Sequence, residues 1–373
     1  MKSCFRPEFW MVMLAILSSV ATAKTVVHEL RIVHPGDPDR RNLKVELEQH
    51  FDKNGEPIAY STWVDSVICK EKTCEVVKVQ LHWDVLGRYQ RYDVAKGSKL
   101  TKLDHLPFSK EDHAKLQRIL LDKGSPLREV TKEGLIGKPK LKGGVDAVTR
   151  PTVLTLKNSV VIGAGYSCYD LWHWANGEVP DIIRSLTGQA LSLAALENLL
   201  TNPEGITISF ALDHLTKRKQ FGQQTIQKVM ASLQKGHADL VDPAMSYLKA
   251  AHPQDADFYA TLTHVFDQCD EEKRVLLLRR LTEKKEAFPP GALDRLSSTL
   301  PKFASHHELH MFLNLVTQNK AQSDTISRKV AHLLSHRKFF VARRAFWYLE
   351  KQNLPKDLQT KVDAFQEKHK ERL

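Results

Sequence analysis

No apolar run in this 373-residue chain reaches the roughly 18 residues that a membrane span needs, which excludes a polytopic membrane protein. Glycine (17) and proline (16) are scarce, so the chain is neither collagen-like nor of low complexity. There is no Walker loop, no Gly-x-Ser-x-Gly elbow and no pair of acids placed for catalysis, so nothing points to a nucleotide enzyme or a hydrolase. Acidic residues are in deficit, 44 against 55 Lys and Arg, for a formal charge of +11. What is present is material for a core: 42% of residues are hydrophobic and 27% charged. At about 100–200 residues per domain the length suits two domains.

Cationic Lys2 and Arg6 precede a mostly apolar stretch from Phe9 to Val20, which ends in Ala21-Thr22-Ala23. Charge, short apolar core and small-x-small ending are the parts of a secretory signal, so residues 1–23 are expected to be removed and Lys24 to begin the mature protein. The expected location is periplasmic or secreted, with no integral membrane span after cleavage. Export also argues against a nucleic-acid partner. Only Lys2, Arg6 and Glu8 would leave with the signal, so the basic surplus belongs to the exported part.

Cysteine is sparse, and four of five lie beyond the signal. Cys69 and Cys74 flank four residues between two strand-like runs, which predicts a structural disulfide across a hairpin. The spacing is not CxxC and no second ligand pair follows, which disfavours a metal or redox pair. Cys168 and Cys269 fall on helical patterns and are expected as buried thiols.

From Thr25 to about Val94 hydrophobic residues alternate, notably in Val26–Val33, Leu43–Leu47, Trp63–Cys69 and Cys74–Trp83, which predicts an antiparallel sheet with the last two runs paired. Ser109 with Asp112 three residues on has the form of a capping box, opening a short helix that runs to Leu121 and stops at Gly124-Ser125-Pro126. Residues 134–145 read as an exposed Gly- and Lys-rich loop, and a helical run is expected from about Lys157 to Asn176. Beyond Val179 the pattern is helical nearly to the end, with starts near 189, 205, 222, 238, 255, 270, 289, 305, 323, 337 and 355. Two helices per unit give a period of about 33 residues, the range of helical-hairpin repeats that bury their faces by stacking. The expected fold is α+β, with a sheet domain over 24–179 and an α-helical repeat, solenoid-like, over 180–373; an irregular helical bundle is the alternative.

The segment Asp146-Ala147-Val148-Thr149-Arg150-Pro151-Thr152 resembles the flavinylation motif, D-x-x-[ST]-G-A-T, of the FMN-binding domain family. That resemblance implies an FMN-binding-like fold, electron transfer, and FMN joined through a phosphoester to the hydroxyl of Thr152, with Asp146 and Thr149 beside it. Arg150-Pro151 stands where the family has Gly-Ala; Arg150 adds bulk there and offers a charge for a phosphate. Downstream, Tyr166, Tyr169 and His173 share one helical face and would wall the flavin pocket if FMN binds. The same spacing suits a buried core, and a hydrogen-bonded interior histidine is the plainer role for His173.

His306 and His310 are four apart on a helical pattern, but Glu308 does not follow the first histidine as the zincin signature requires, so metal binding is not expected. Basic runs such as Lys217-Arg218-Lys219, Lys284-Lys285, Arg279-Arg280 and Arg343-Arg344 are read as helix ends and solvated faces, open to acidic proteins, cell-wall polymers or lipid headgroups. Two functions follow: an exported flavoprotein-like electron carrier whose helical repeat docks a redox partner, or a non-catalytic scaffold on the same fold whose repeat does the binding.

Overall fold

Alternating apolar side chains make five strands, β1 (Thr25–Ile32), β2 (Leu43–Phe51), β3 (Pro57–Ser66), β4 (Val77–Trp83) and β5 (Tyr89–Val94), joined as an antiparallel meander in the order β1-β2-β3-β4-β5. These come from a computed structural model that describes residues 24–35, 43–66, 76–102, 105–135, 156, 158–283, 288–303, 305–321 and 323–373. The expected pairing of the third and fourth runs holds, with Trp63 opposite Gln80 and Ser66 opposite Val77. Cys69 and Cys74 lie outside the described residues.

One face of the sheet is apolar: Val45, Leu47, Tyr60, Val64, Val79, Leu81, Trp83 and Tyr89 are all buried there. Each such side chain contributes about 1.5–3 kcal/mol of transfer free energy on burial. The β4–β5 turn is fixed by Asp84, whose carboxylate accepts from the amides of Leu86 and Arg88 at 2.9 Å each. Gly87 has φ +71° in that turn, and a Cβ on it would lie 2.4 Å from the carbonyl oxygen of Pro180. Only glycine meets both demands.

Helix α1 (Lys110–Leu121) has the expected capping box, with Ser109 accepting from the amide of Asp112 and Asp112 accepting from that of Ser109. Helix α2 (Gly165–Asn176) begins later than the sequence suggests. Gly163 adopts φ +79°, a left-handed conformation that breaks the helical path, so α2 starts two residues beyond it. Helix α3 (Val179–Ala190) follows at once, and the chain divides inside it into two compact units, residues 1–187 and 188–373.

The second unit is helical: α4 (Leu193–Leu199), α5 (Gly205–Lys217), α6 (Gln223–Lys235), α7 (Val241–Ala251), α8 (Asp255–Gln268), α9 (Glu271–Glu283), α10 (Ala292–Leu296), α11 (His306–Gln318), α12 (Asp324–His332), α13 (Phe339–Leu349) and α14 (Lys356–His369). Their starts track those read from the sequence. Alternate helices stack: α5, α7, α9, α11 and α13 form one row and α6, α8, α10, α12 and α14 the other. That two-row stacking is an α-solenoid, in which each hairpin buries its apolar face on its neighbours. Polar bonds follow the same period. Thr225 and Lys228 bond Glu197, Lys329 bonds Ser297 and Arg344 bonds Asn314, at separations of 28, 31, 32 and 30 residues.

Candidate functional site

Helix α2 is the central helix of the first unit. From Ser167 to Ala175 every residue is buried. Several polar groups of the helix and its surroundings are paired. The Trp172 indole donates to the carbonyl of Asp122 at 2.8 Å, the Trp83 indole to Ala175 at 2.9 Å, and the Asn176 amide to Leu120 at 2.9 Å.

The three aromatic and histidine residues marked from sequence therefore have unequal positions. Tyr169 is fully buried and donates to the carbonyl of Val130 at 3.2 Å. His173 is 7% exposed, with its ring 4.4 Å from Tyr169 and 4.9 Å from Trp172. Tyr166, one turn nearer the solvent, carries the ammonium of Lys132 at 5.4 Å from its ring centre. That ammonium also donates to Asp170 at 2.6 Å. His34 donates from Nε2 to the main-chain oxygen of Asp170 at 3.0 Å and stacks on Trp174. The arrangement is a polar lock: Lys132, beyond α1, and His34, just beyond β1, both tie to α2 at Asp170.

Tyr169 and His173 pack within the core. Asp146, Thr149, Arg150 and Thr152 lie outside the described residues, so the flavin reading rests on that segment and no chemical step is derived through FMN.

The opposite face of the sheet holds a cluster that sequence reasoning missed. Ser61 donates to Glu48 at 2.8 Å, and its oxygen lies 2.9 Å from His50 Nε2 and 3.3 Å from the Gln80 amide. Serine, histidine and carboxylate invite comparison with a nucleophilic triad. The order is wrong for one: the carboxylate bonds the serine, while His50 Nδ1 faces the hydroxyl of Thr25 at 3.2 Å. Ser61 is also fully buried beneath these partners, so no substrate carbonyl reaches it. The only signal in the sequence is parity, since Glu48 and His50 are two apart on one strand.

The two thiols among the described residues, Cys168 and Cys269, are buried. Burial pushes Cys168 up to about 12, and Cys269 up to about 11. Such thiols are protonated at neutral pH and are poor nucleophiles. Among the described residues no three His, Cys, Asp or Glu side chains gather to hold a metal, and His310 Nε2 is bonded instead to Asn314 at 3.0 Å. No described helix is long and apolar enough to cross a membrane. Comparison with known protein families, with curated proteins and with solved structures finds no match.

Proposed function

We propose that the chain is a non-catalytic binding protein, exported, in which the helical repeat supplies the docking surface and the sheet unit is a folded companion. The observation that carries this reading is the stacked two-row solenoid of residues 188–373, since such arrays gain an extended surface from stacking rather than an enclosed catalytic pocket. The sheet unit supports it from the other side. Its Ser61 cluster is sealed, its Cys168 thiol is protonated, and Tyr169 and His173 are spent on the core.

The second reading, electron transfer through FMN on Thr152, keeps its support from the Asp146–Thr152 sequence. One experiment separates the two: intact mass and visible spectrum of the mature protein, exported from a host that coexpresses a flavin transferase active on a control protein. The expected result is unmodified mass and no colour. A gain of one FMN less water, abolished by Thr152→Ala, would replace the scaffold with a covalent flavoprotein.

A further inference from the structure

Several cations on the solenoid are already neutralised where they stand. Arg274 pairs with Glu308, Arg280 with Asp242 and Glu283, Lys228 with Glu197, and Arg328 with Asp324 and Asp357. A cavity of about 300 Å³ beside Arg279 and Arg280 is lined by Asp239, Asp242 and Glu283 as well, and so balances its own charge.

A larger cavity, about 650 Å³, lies where α11 and α13 stack, and it has a different character. Three cations line it, Lys320, Arg344 and Lys351, and no acid does. Arg344 is half-buried on α13 and donates from Nη2 to the side-chain oxygen of Asn314 at 3.1 Å, while its Nε is buried with no partner among the described residues. The amide of Asn314 in turn faces His310 Nε2 at 3.0 Å, so the histidine accepts and is neutral. Burial draws Arg344 below the ordinary arginine range, and no carboxylate offsets it. A guanidinium partly withdrawn from water without a counter-charge gains from an anion that pairs with it. The remaining wall is apolar or aromatic, with Val316, Trp347 and Tyr348. Arg343 stacks 4.6 Å from Trp347 and 5.0 Å from the exposed Phe340, extending the cationic and aromatic strip along α13.

We propose that this α11–α13 cavity binds an acidic peptide segment of a protein partner, with one carboxylate on Arg344 and flanking carboxylates on Lys320 and Lys351. The inference deepens the scaffold reading and rests on it. Charge complementarity names the acid, and the volume suits a few residues rather than a lone small ion. The aromatic wall gives aliphatic side-chain stems a surface to lie on. Arg344 lies on α13, while Lys320 and Lys351 lie just beyond the C-terminal ends of α11 and α13, so stacking of the hairpins is what assembles the site.

The test is fluorescence anisotropy of a labelled hexaglutamate peptide against the full mature chain, with hexaglutamine for comparison. Lys320 and Lys351 are exposed, so Lys320→Glu with Lys351→Glu leaves the fold intact. That pair, and Arg344→Gln separately, is expected to weaken hexaglutamate at least ~10-fold, as loss of interfacial charge pairs does. Lys217→Glu with Lys219→Glu, on α5 and just beyond it, is expected to change little. Equal weakening by both pairs would reduce the effect to net charge and overturn the site. Equal binding of hexaglutamine, or displacement by equimolar inorganic phosphate, would overturn the peptide assignment. Absence of peptide binding by a protein of unmodified mass would retire this cavity while leaving the scaffold reading, whereas a flavinylated protein would remove that reading itself.

Discussion

In the sheet unit Trp83 bonds the carbonyl of Ala175, 92 residues on, and His34 bonds that of Asp170, 136 residues on. In the helical unit the polar links between hairpins span about one repeat: 27 residues from Gln220 to Tyr247, 30 from Asn314 to Arg344, 34 from Arg274 to Glu308. The first unit closes a single core through distant contacts. The second adds nearest-neighbour interfaces in series, so its stability is close to a sum over repeats. The contrast teaches where each unit can spare side chains. A closed core consumes its aromatics and polar groups, as α2 shows, while a stacked array repeats its interfaces and leaves surfaces at each junction.

The largest test of that contrast is Glu308→Gln. Glu308 is fully buried against Arg274, and removing its charge strands the guanidinium, a loss of about 3–5 kcal/mol. Hydrogen exchange should rise in α9, α11 and the hairpins beside them and stay unchanged in β1–β5. Loss of protection throughout the sheet would mean that the array does not behave as a series. Gly87→Ala is the converse experiment. With φ +71° and the Pro180 carbonyl in the way, it should destabilise by about 1–3 kcal/mol, and the whole sheet unit should lose protection together. Opening confined to the β4–β5 turn would argue against one cooperative core.

A smaller effect sharpens the account of the repeat interfaces. Lys228 and Thr225 hold Glu197 below its ordinary carboxyl value of 4.5. A lowered folded value stabilises the protein above the unfolded value and ceases to do so as pH falls through the lowered one. The difference in thermal midpoint between wild type and Glu197→Gln should therefore be steady near neutrality and close in acid. A difference that persists unchanged in strongly acidic solution would assign it to packing instead. The smallest change is expected at Cys69 and Cys74, where the disulfide expected from their spacing in the sequence would close a short loop. Intact mass with and without reductant should differ by two hydrogens; equal masses would discard the bridge.

Much of the fold was legible because its signals are local. Alternation in Leu43–Leu47 and Trp63–Ser66, the Ser109–Asp112 capping box and evenly spaced helix starts each depend on neighbours within a few residues. The start of α2 was not, because Gly163 turns left-handed inside a stretch whose composition suits a helix. Site residues were harder for the same reason. Tyr166, Tyr169 and His173 do share a face, but what covers that face is set by the sheet and by residues more than thirty positions away. Ser61 meets Glu48 and His50 only through strand register. Arg343-Arg344 reads as a solvated basic run. On α13 the first stacks on aromatics and the second is drawn inward toward Asn314, a partner that stacking supplies.

The central claim, that binding belongs to the helical repeat, is tested most directly by placing a photo-crosslinking amino acid at one exposed aromatic in each unit and irradiating the producing cells. Phe340 is 59% exposed on α13 and Trp63 is 44% exposed on the sheet, so both tolerate the replacement. The account predicts a discrete adduct from position 340 that is lost with Lys320→Glu and Lys351→Glu, and none from position 63. A discrete adduct from position 63 with none from position 340 would contradict it and move the docking surface to the sheet.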